Sequence, residues 1–401
     1  MATPVNELDL PIVDLTTAEN NDQLRSMVLS AQRQHWLAKT PLGYLITRYD
    51  DVSNLLRDRR WHQLAKLIAE LNGMQNEMTD TRTSILTAEG DEHTRLRRLV
   101  APAFSPRSAD RLRPFMRQVI NGLVDDIVAK GTSEFVHDIC EPYPIPIICE
   151  LLGAPKEDWR LFSRWASDLL RIFNNNLRED LPFIAKAREE LDAYAEALIE
   201  ARRSAPADDL LTDLIAAEQS GDRLSKEELL VMVEAVIVAG TDTTRNQLAC
   251  AVALFSNYPD QWRLLADDPS LAATAVEETM RYLGAVRGTG RFASEDIEFN
   301  GVLFPKGSLV FPSLVAANFD ETTFDAPGTF NIRRPGIGQH MSFGTGIHYC
   351  LGASLARAEL QEALPILAQR LPNLRRNGDL IWKPNTVAIW GPERLPISFG
   401  Q

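Results

Sequence analysis

Phe343-Gly344-Thr345-Gly346-Ile347-His348-Tyr349-Cys350-Leu351-Gly352 is followed at once by Ala353-Ser-Leu-Ala-Arg357. Beyond the cysteine, Leu351, Leu355, Ala356, Leu360, Ala363 and Leu364 fall on a 3.6-residue stripe, which predicts a helix. The glycines before it open backbone conformations that other residues avoid. A loop of that kind aims amide N–H groups at a thiolate, and a helix beginning at Cys350 adds the positive end of its dipole. The expectation is a cysteine held as a thiolate with one face open.

Three readings compete for Cys350. A free cysteine is often simply a small buried apolar residue. A zinc site needs further ligands, but no other cysteine lies nearby and no C-x-x-C occurs in the chain. A single axial thiolate on haem iron needs one cysteine and a flat wall for the porphyrin. The skeleton Phe343-x-x-Gly346-x-x-x-Cys350-x-Gly352 resembles the haem-binding loop of the cytochrome P-450 family and matches it at every fixed position. The resemblance covers about residues 8 to 400. It implies haem b (iron protoporphyrin IX) with Cys350 as the iron ligand and Phe343, Gly344 and Gly352 among the residues that bind it. The fold it implies is mainly α with a smaller β-rich lobe, the haem lying between a long central helix and the helix after the cysteine.

Composition narrows the class further. A chain of 401 residues exceeds the usual size of one hydrophobic core, so a two-lobed body is expected. The helix-rich lobe should span about 90–290 and 340–370, and the β-rich lobe about 40–60, 290–335 and 375–400. A net charge of −13 argues against non-specific nucleic-acid binding. Met1 to Asn20 has neither the basic nor the apolar region of a signal peptide. No apolar run approaches the length that crosses a bilayer. Cys140, Cys149, Cys250 and Cys350 are scattered without a pairing pattern, which fits a reducing cytoplasm.

In chain order, Leu42 to Thr47 reads as a strand, with Asp50 or Asp51 capping the next helix. Asn72 to Glu92 is polar apart from Met74, Met78, Ile85 and Leu86, and loops this long are usually lids or binding loops. His93 and Arg97 follow on one helical face. Alone they would be a solvated surface, but they match the H-x-x-x-R that binds haem propionates in the family resembled. From Asp91 to Arg117, seven arginines face three acids, a candidate docking patch for an acidic partner. Glu134 to Cys149 is interrupted by proline, and helices should then run from about Lys156 to Arg203, broken at Asn174-Asn175-Asn176. That break resembles the family's substrate-access lid.

Ser225-Lys-Glu-Glu228 is a capping box that opens a helix running to about Asn257. Its first half is apolar nearly all round, so it should be buried. In that setting Ala239-Gly240-Thr241-Asp242-Thr243-Thr244 is costly, because Asp242 must find partners and Gly240 weakens the helix. Thr243 is placed to bond the Ala239 carbonyl. The cluster resembles the family's oxygen-binding kink, with Ala239 and Gly240 against the haem and Asp242–Thr243 as the acid–alcohol pair. Glu278 and Arg281 match the family's structural E-x-x-R, whose further arginine should come from Phe330-Asn-Ile-Arg333-Arg334, with spacing favouring Arg334 over Arg333. Arg291 and His348 match its propionate binders, and Ile297 to Phe304 reads as a hairpin with an Asn300-Gly301 turn. Four departures stand out: Ala285 where the family has proline, Phe319 where it has arginine, Thr87 to His93 in place of Asp-Pro-Pro-Glu-His, and Pro365 interrupting the last helix.

The resemblance therefore implies a haem-thiolate monooxygenase using O2 and electrons from a ferredoxin and its reductase. The substrate wall should be formed by Val236, Ala239, Thr243, Ala285, Val286 and Ile389, which favours a small apolar substrate. Arg287 is either a surface residue or a partner for an anionic group. A peroxide-using member of the fold and a non-catalytic haem-thiolate sensor or carrier are the alternatives.

Overall fold

The computed structural model describes residues 2–74, 82–173, 177–219, 224–385 and 389–400. The central helix, Lys226–Phe255, opens on the expected capping box, with Ser225 and Glu228 each bonding the other's backbone amide. It runs without a break through Gly240 to Thr244, so the kink region keeps its helical backbone. Leu229 to Val233 and Leu248 to Phe255 are buried along it, each large apolar side chain contributing about 1.5–3 kcal/mol. Around it lie Pro144–Leu152, Trp159–Leu170 and Leu177–Ser204. The Asn174-Asn175-Asn176 run lies outside the described residues.

The helix after the cysteine spans Ala353–Arg370 with Gly352 as its N-cap residue, three residues later than expected. Pro365 sits inside it, and the helix continues to Arg370 rather than being interrupted. This helix packs along Pro106–Val128 and against Ala272–Tyr282.

A five-stranded sheet collects distant pieces in the order Leu37–Lys39, Tyr44–Ile46, Leu309–Pro312, Arg291–Ala293 and Trp61–Gln63. The 297–304 hairpin forms as expected, with Asn300 and Gly301 at φ 49° and 75° in its turn. It pairs with Thr3–Pro4. The 375–400 stretch behaves differently from its assignment to the β lobe. Its strand Pro396–Ser398 pairs with Thr132–Glu134, and Ile397 is buried in the helical core. Strand pairing between segments so far apart leaves no local trace.

One further expectation is corrected here, and one departure finds its setting. The Tyr49–Arg57 helix has no side-chain cap from Asp50 or Asp51. Asp320 supplies it instead, accepting the Tyr49 amide at 2.8 Å from another part of the chain. Phe319 lies under two guanidiniums, Arg25 at 4.9 Å and Arg281 at 5.2 Å from its ring. An arginine at that position would put a third cation among them. No described helix is long and apolar enough to cross a membrane.

Candidate active site

A cavity of about 340 Å³ opens between the Cys350 loop and the central helix. The loop is built by backbone. The Cys350 amide donates to the Phe343 carbonyl at 2.9 Å, and Gly344 and Gly346 take φ of 68° and 73°. A Cβ on Gly346 would stand 2.3 Å from the Leu56 carbonyl oxygen, so only glycine lets the loop lie against that helix end. A Cβ on Gly344 or Gly352 would meet nothing within 4 Å, although both line the cavity.

Burial pushes the Cys350 thiol up, against the downward pull of the Gly352 amide, Arg97 and Arg357. The loop by itself therefore does not hold the thiolate expected from its glycines and helix end. A coordinated cation deprotonates such a thiol outright. Among the described residues no three His, Cys, Asp or Glu side chains gather to hold a metal, which leaves the zinc reading without ligands. The loop is braced from outside by Arg357, which stacks on Phe343 at 4.4 Å and grips Glu277 at 2.7 and 2.8 Å. Burial would raise the Glu277 carboxyl, but His340 and Arg357 hold it down at about 2.

At one edge of the cavity stand His93, Arg97, Arg291 and His348, as the sequence placed them. The His93 and His348 rings are 4.4 Å apart. Burial, then His348 and Arg97, push His93 down to about 4, and burial pushes Arg291 down to about 10. Arg97 reaches the Ile347 carbonyl at 3.2 Å, and Arg291 reaches Gln63, Thr289 and Gly290 oxygens at 2.7–2.9 Å. Neither arginine forms an ion pair with a described carboxylate. Two desolvated cations, with Glu89 the nearest opposite charge to Arg291, make a receptor for a further anionic group. Glu89, in the segment that departs from Asp-Pro-Pro-Glu-His, lies 3.2 Å from His348 Nε2.

The facing wall is the central helix, where Val236, Ala239, Gly240 and Thr243 line the cavity. Thr243 Oγ1 donates to the Ala239 carbonyl at 2.8 Å, the bond expected from the sequence. The room beside Gly240 is taken by Ile148, whose Cδ1 would stand 2.5 Å from an added Cβ. Asp242 does not line the cavity. It is buried and ion-paired with Arg245, with Lys383 at 3.9 Å, while Arg245 reaches the half-buried Glu141 at 3.8 Å. Ala285 and Val286 line the wall, whereas Ile389 does not; it is bridged to Val286 instead. Arg287 is half-buried and outside the cavity, its guanidinium lying over Trp390 at 4.6 Å and bonding Asn385. The 82–88 strap contributes Ile85 and Leu86, two of the isolated apolar residues of the polar loop; residues 75–81 lie outside those described. Gln63, Met232, Gln247 and Leu314 also line the cavity and carry no sequence signal by themselves.

The cytochrome P450 family model matches residues 154–372. Cytochrome P450 CYP107DY1 of Priestia megaterium is 36% identical over 372 residues, covering 89% of this chain and 90% of the relative. The chain belongs to the cytochrome P450 family. Luteothin monooxygenase of Streptomyces thioluteus is 35% identical and covers 98% of this P450 and 97% of its own length. The crystal structure of CalO2 superposes with a TM-score of 0.90 at 30% identity, over 98% of this chain and 99% of that one. The protein is thus a P450-type monooxygenase whose cofactor is haem b. The open glycine face, the single cavity-facing cysteine and the two desolvated arginines fit that group.

Glu359 is the one carboxyl in this P450's cavity wall with no partner. It is 1% exposed, and neither carboxyl oxygen has a hydrogen-bond partner among the described residues. Burial holds its proton on well above the usual carboxylate range. Because the folded-state affinity for the proton is raised, the stability tied to it is intact below about pH 4.5 and is lost as pH rises beyond. Glu359→Gln removes that loss. The variant should match wild type in melting temperature at pH 4 and exceed it near pH 8, by roughly 1–3 kcal/mol of stability. Parallel melting curves across that range would mean the carboxyl is solvated.

Proposed function

We propose that this P450 inserts one oxygen atom from O2 into a small, predominantly apolar organic substrate in the cytoplasm, with electrons delivered by a ferredoxin and its reductase. The observation that carries the reading is the cavity itself. The Cys350 loop forms one wall, Val236, Ala239 and Thr243 the other, and His93, Arg97, Arg291 and His348 gather at one edge. Relatives named for luteothin, mycinamicin IV and vitamin D3 share 35–37% identity with this chain, which supports an organic substrate with much apolar surface.

Haem, when bound, supplies the oxygen-activating redox chemistry. In this reading Cys350 Sγ would be the ligand to its iron, and the four cationic or protonatable side chains would neutralise its propionates by charge-assisted bonds. Phe343, Gly344 and Gly352, which line the cavity beside Cys350, would pack against it. Apolar residues from Val236 to Val286 orient the substrate and exclude water. Thr243 Oγ1, bonded to the Ala239 carbonyl, is positioned to hold a water at the cavity wall. Asp242 sits behind it on the same helix and links through Arg245 and Lys383 towards solvent, a route by which protons enter.

The arginine-rich stretch contributes less to docking than its sequence indicates. Arg95, Arg111, Arg113 and Arg117 are held by Glu228, Asp208, Asp110 and Glu362, and Arg97 faces the cavity. Arg98, Arg107, Arg111 and Arg117 are the exposed members of the stretch, the last two paired at the surface with Asp208 and Glu362.

The experiment is turnover with a ferredoxin, its reductase and a panel of apolar compounds, in wild type and Thr243→Ala. Thr243→Ala should still bind substrate and consume reductant, while hydrogen peroxide replaces most of the oxygenated product. A roughly tenfold fall in product per electron is expected, at 1.36 kcal/mol per factor of ten. Asp242→Asn should slow turnover instead. Oxidation with peroxide and none with ferredoxin would overturn the electron-supply reading, and an unchanged product yield in Thr243→Ala would reduce the hydroxyl to a partner of the Ala239 carbonyl within the helix.

A further inference from the structure

The stretch from Leu283 to Val286 belongs to no strand, and its Ala285 and Val286 line the cavity. A buried irregular segment leaves backbone groups that no regular ladder satisfies, and each unsatisfied group is costly. Here one side chain meets the need. Gln247 accepts the Ala285 amide on Oε1 at 2.9 Å and donates from Nε2 towards the Leu283 carbonyl at 3.3 Å. The outer side is fixed by the Trp390 amide, which donates to the Ala285 carbonyl at 2.9 Å, and by the Val286–Ile389 bridge.

Gln247 is 5% exposed and lines the cavity itself. It stands four residues after Thr243, so both occupy one face of a single continuous helix. The side chain therefore ties the wall's register to the same rigid element that presents Thr243. Ala285 matters in this because a proline there would have no N–H to give. Gly284 has no room for a larger residue, since an added Cβ would stand 2.8 Å from the Met280 carbonyl oxygen.

We propose that Gln247 is a positioning residue that sets the distance of the Leu283–Val286 wall from the Thr243 face, and so decides how large a ligand the far end of the cavity admits. The proposal rests on the reading of this cavity as the haem and substrate site. Its claim about the wall can be measured without turnover.

The test compares the haem-loaded wild type with Gln247→Met, which keeps the side chain's length and loses both bonds. Hydrogen exchange at the Ala285 amide should become roughly tenfold faster, the size of one buried hydrogen bond. Spectral titration should show imidazole binding unchanged, because it is too small to reach the wall. Affinity for 4-phenylimidazole should shift roughly tenfold in the same variant. Gln247→Glu, which keeps an acceptor for the Ala285 amide, should restore slow exchange. If Gln247→Met does not fold, Gln247→Asn, one methylene too short to span both partners, carries the same expectations. Unchanged Ala285 exchange overturns the proposal. So does faster exchange with both imidazoles binding as in wild type, which would leave Gln247 a structural residue only. Failure of the thiolate spectral signature in wild type would instead count against the Cys350 reading and leave the exchange result to stand or fall alone.

Discussion

Cys350→His should abolish the strongly red-shifted Soret band of the reduced carbon monoxide complex and cut monooxygenation by a hundredfold or more, about 2.7 kcal/mol of barrier at 1.36 kcal/mol per factor of ten. The motive is geometric. Cys350 lies on the cavity wall, while Cys140, Cys149 and Cys250 are buried away from it. Burial pushes the Cys250 and Cys149 thiols up to about 12, so neither offers a thiolate in its place. The loop should survive the change, because its shape is held by the Cys350 amide, the Gly346 approach to Leu56 and the Arg357–Phe343 stack. None of these uses the sulfur. Circular dichroism and thermal unfolding separate loss of ligation from loss of fold. A variant that kept the red-shifted band would show that another group binds the iron.

Glu278→Ala should cost the most stability of any single change to this chain. Glu278 is fully buried and accepts Arg281 at 2.8 and 3.0 Å and Arg334 at 3.1 and 3.2 Å. Its Oε1 also takes the Asn331 amide at 3.0 Å. The two arginines spread their remaining donors over the carbonyls of Asn318, Pro327, Thr329 and Asp325. Deleting the carboxylate leaves two buried guanidiniums uncompensated, and breaking a buried pair from one side costs about 3–5 kcal/mol. Here one carboxylate serves two cations, so the upper end of that range is expected. Urea unfolding should show the drop, with Glu278→Gln losing less because the amide oxygen still accepts. A Glu278→Ala variant within about 1 kcal/mol of wild type would place it among ordinary substitutions and remove the network from the stability argument.

The features legible in the chain are those whose physics is local. The Ser225–Glu228 box closes within one turn, the Asn300-Gly301 pair adopts its left-handed turn within two residues, and Glu278 meets Arg281 one helical turn away. The glycine pattern before Cys350 is likewise short-range, which is why the cysteine, the loop and the helix behind it were readable together. Arg334 was placed only through the family resemblance.

Several features depended on contacts between residues far apart in the chain. Asp320 caps the Tyr49 helix across 271 positions, and Thr132–Glu134 takes Pro396–Ser398 as its strand partner. The arginine excess between Asp91 and Arg117 looked like a free patch because its partners Glu228, Asp208 and Glu362 lie more than ninety residues on. Lys383 reaches Asp242 from the other end of the chain, and Gln247 carries no mark of the Ala285 amide it serves. What the sequence determined by itself is the family, the cysteine of the site and the helices that cap and terminate themselves. Which charges are spent internally, and which side chains hold the cavity wall, were settled by tertiary structure, because a buried polar group is satisfied by whatever the fold brings within 3 Å and not by its neighbours in the chain.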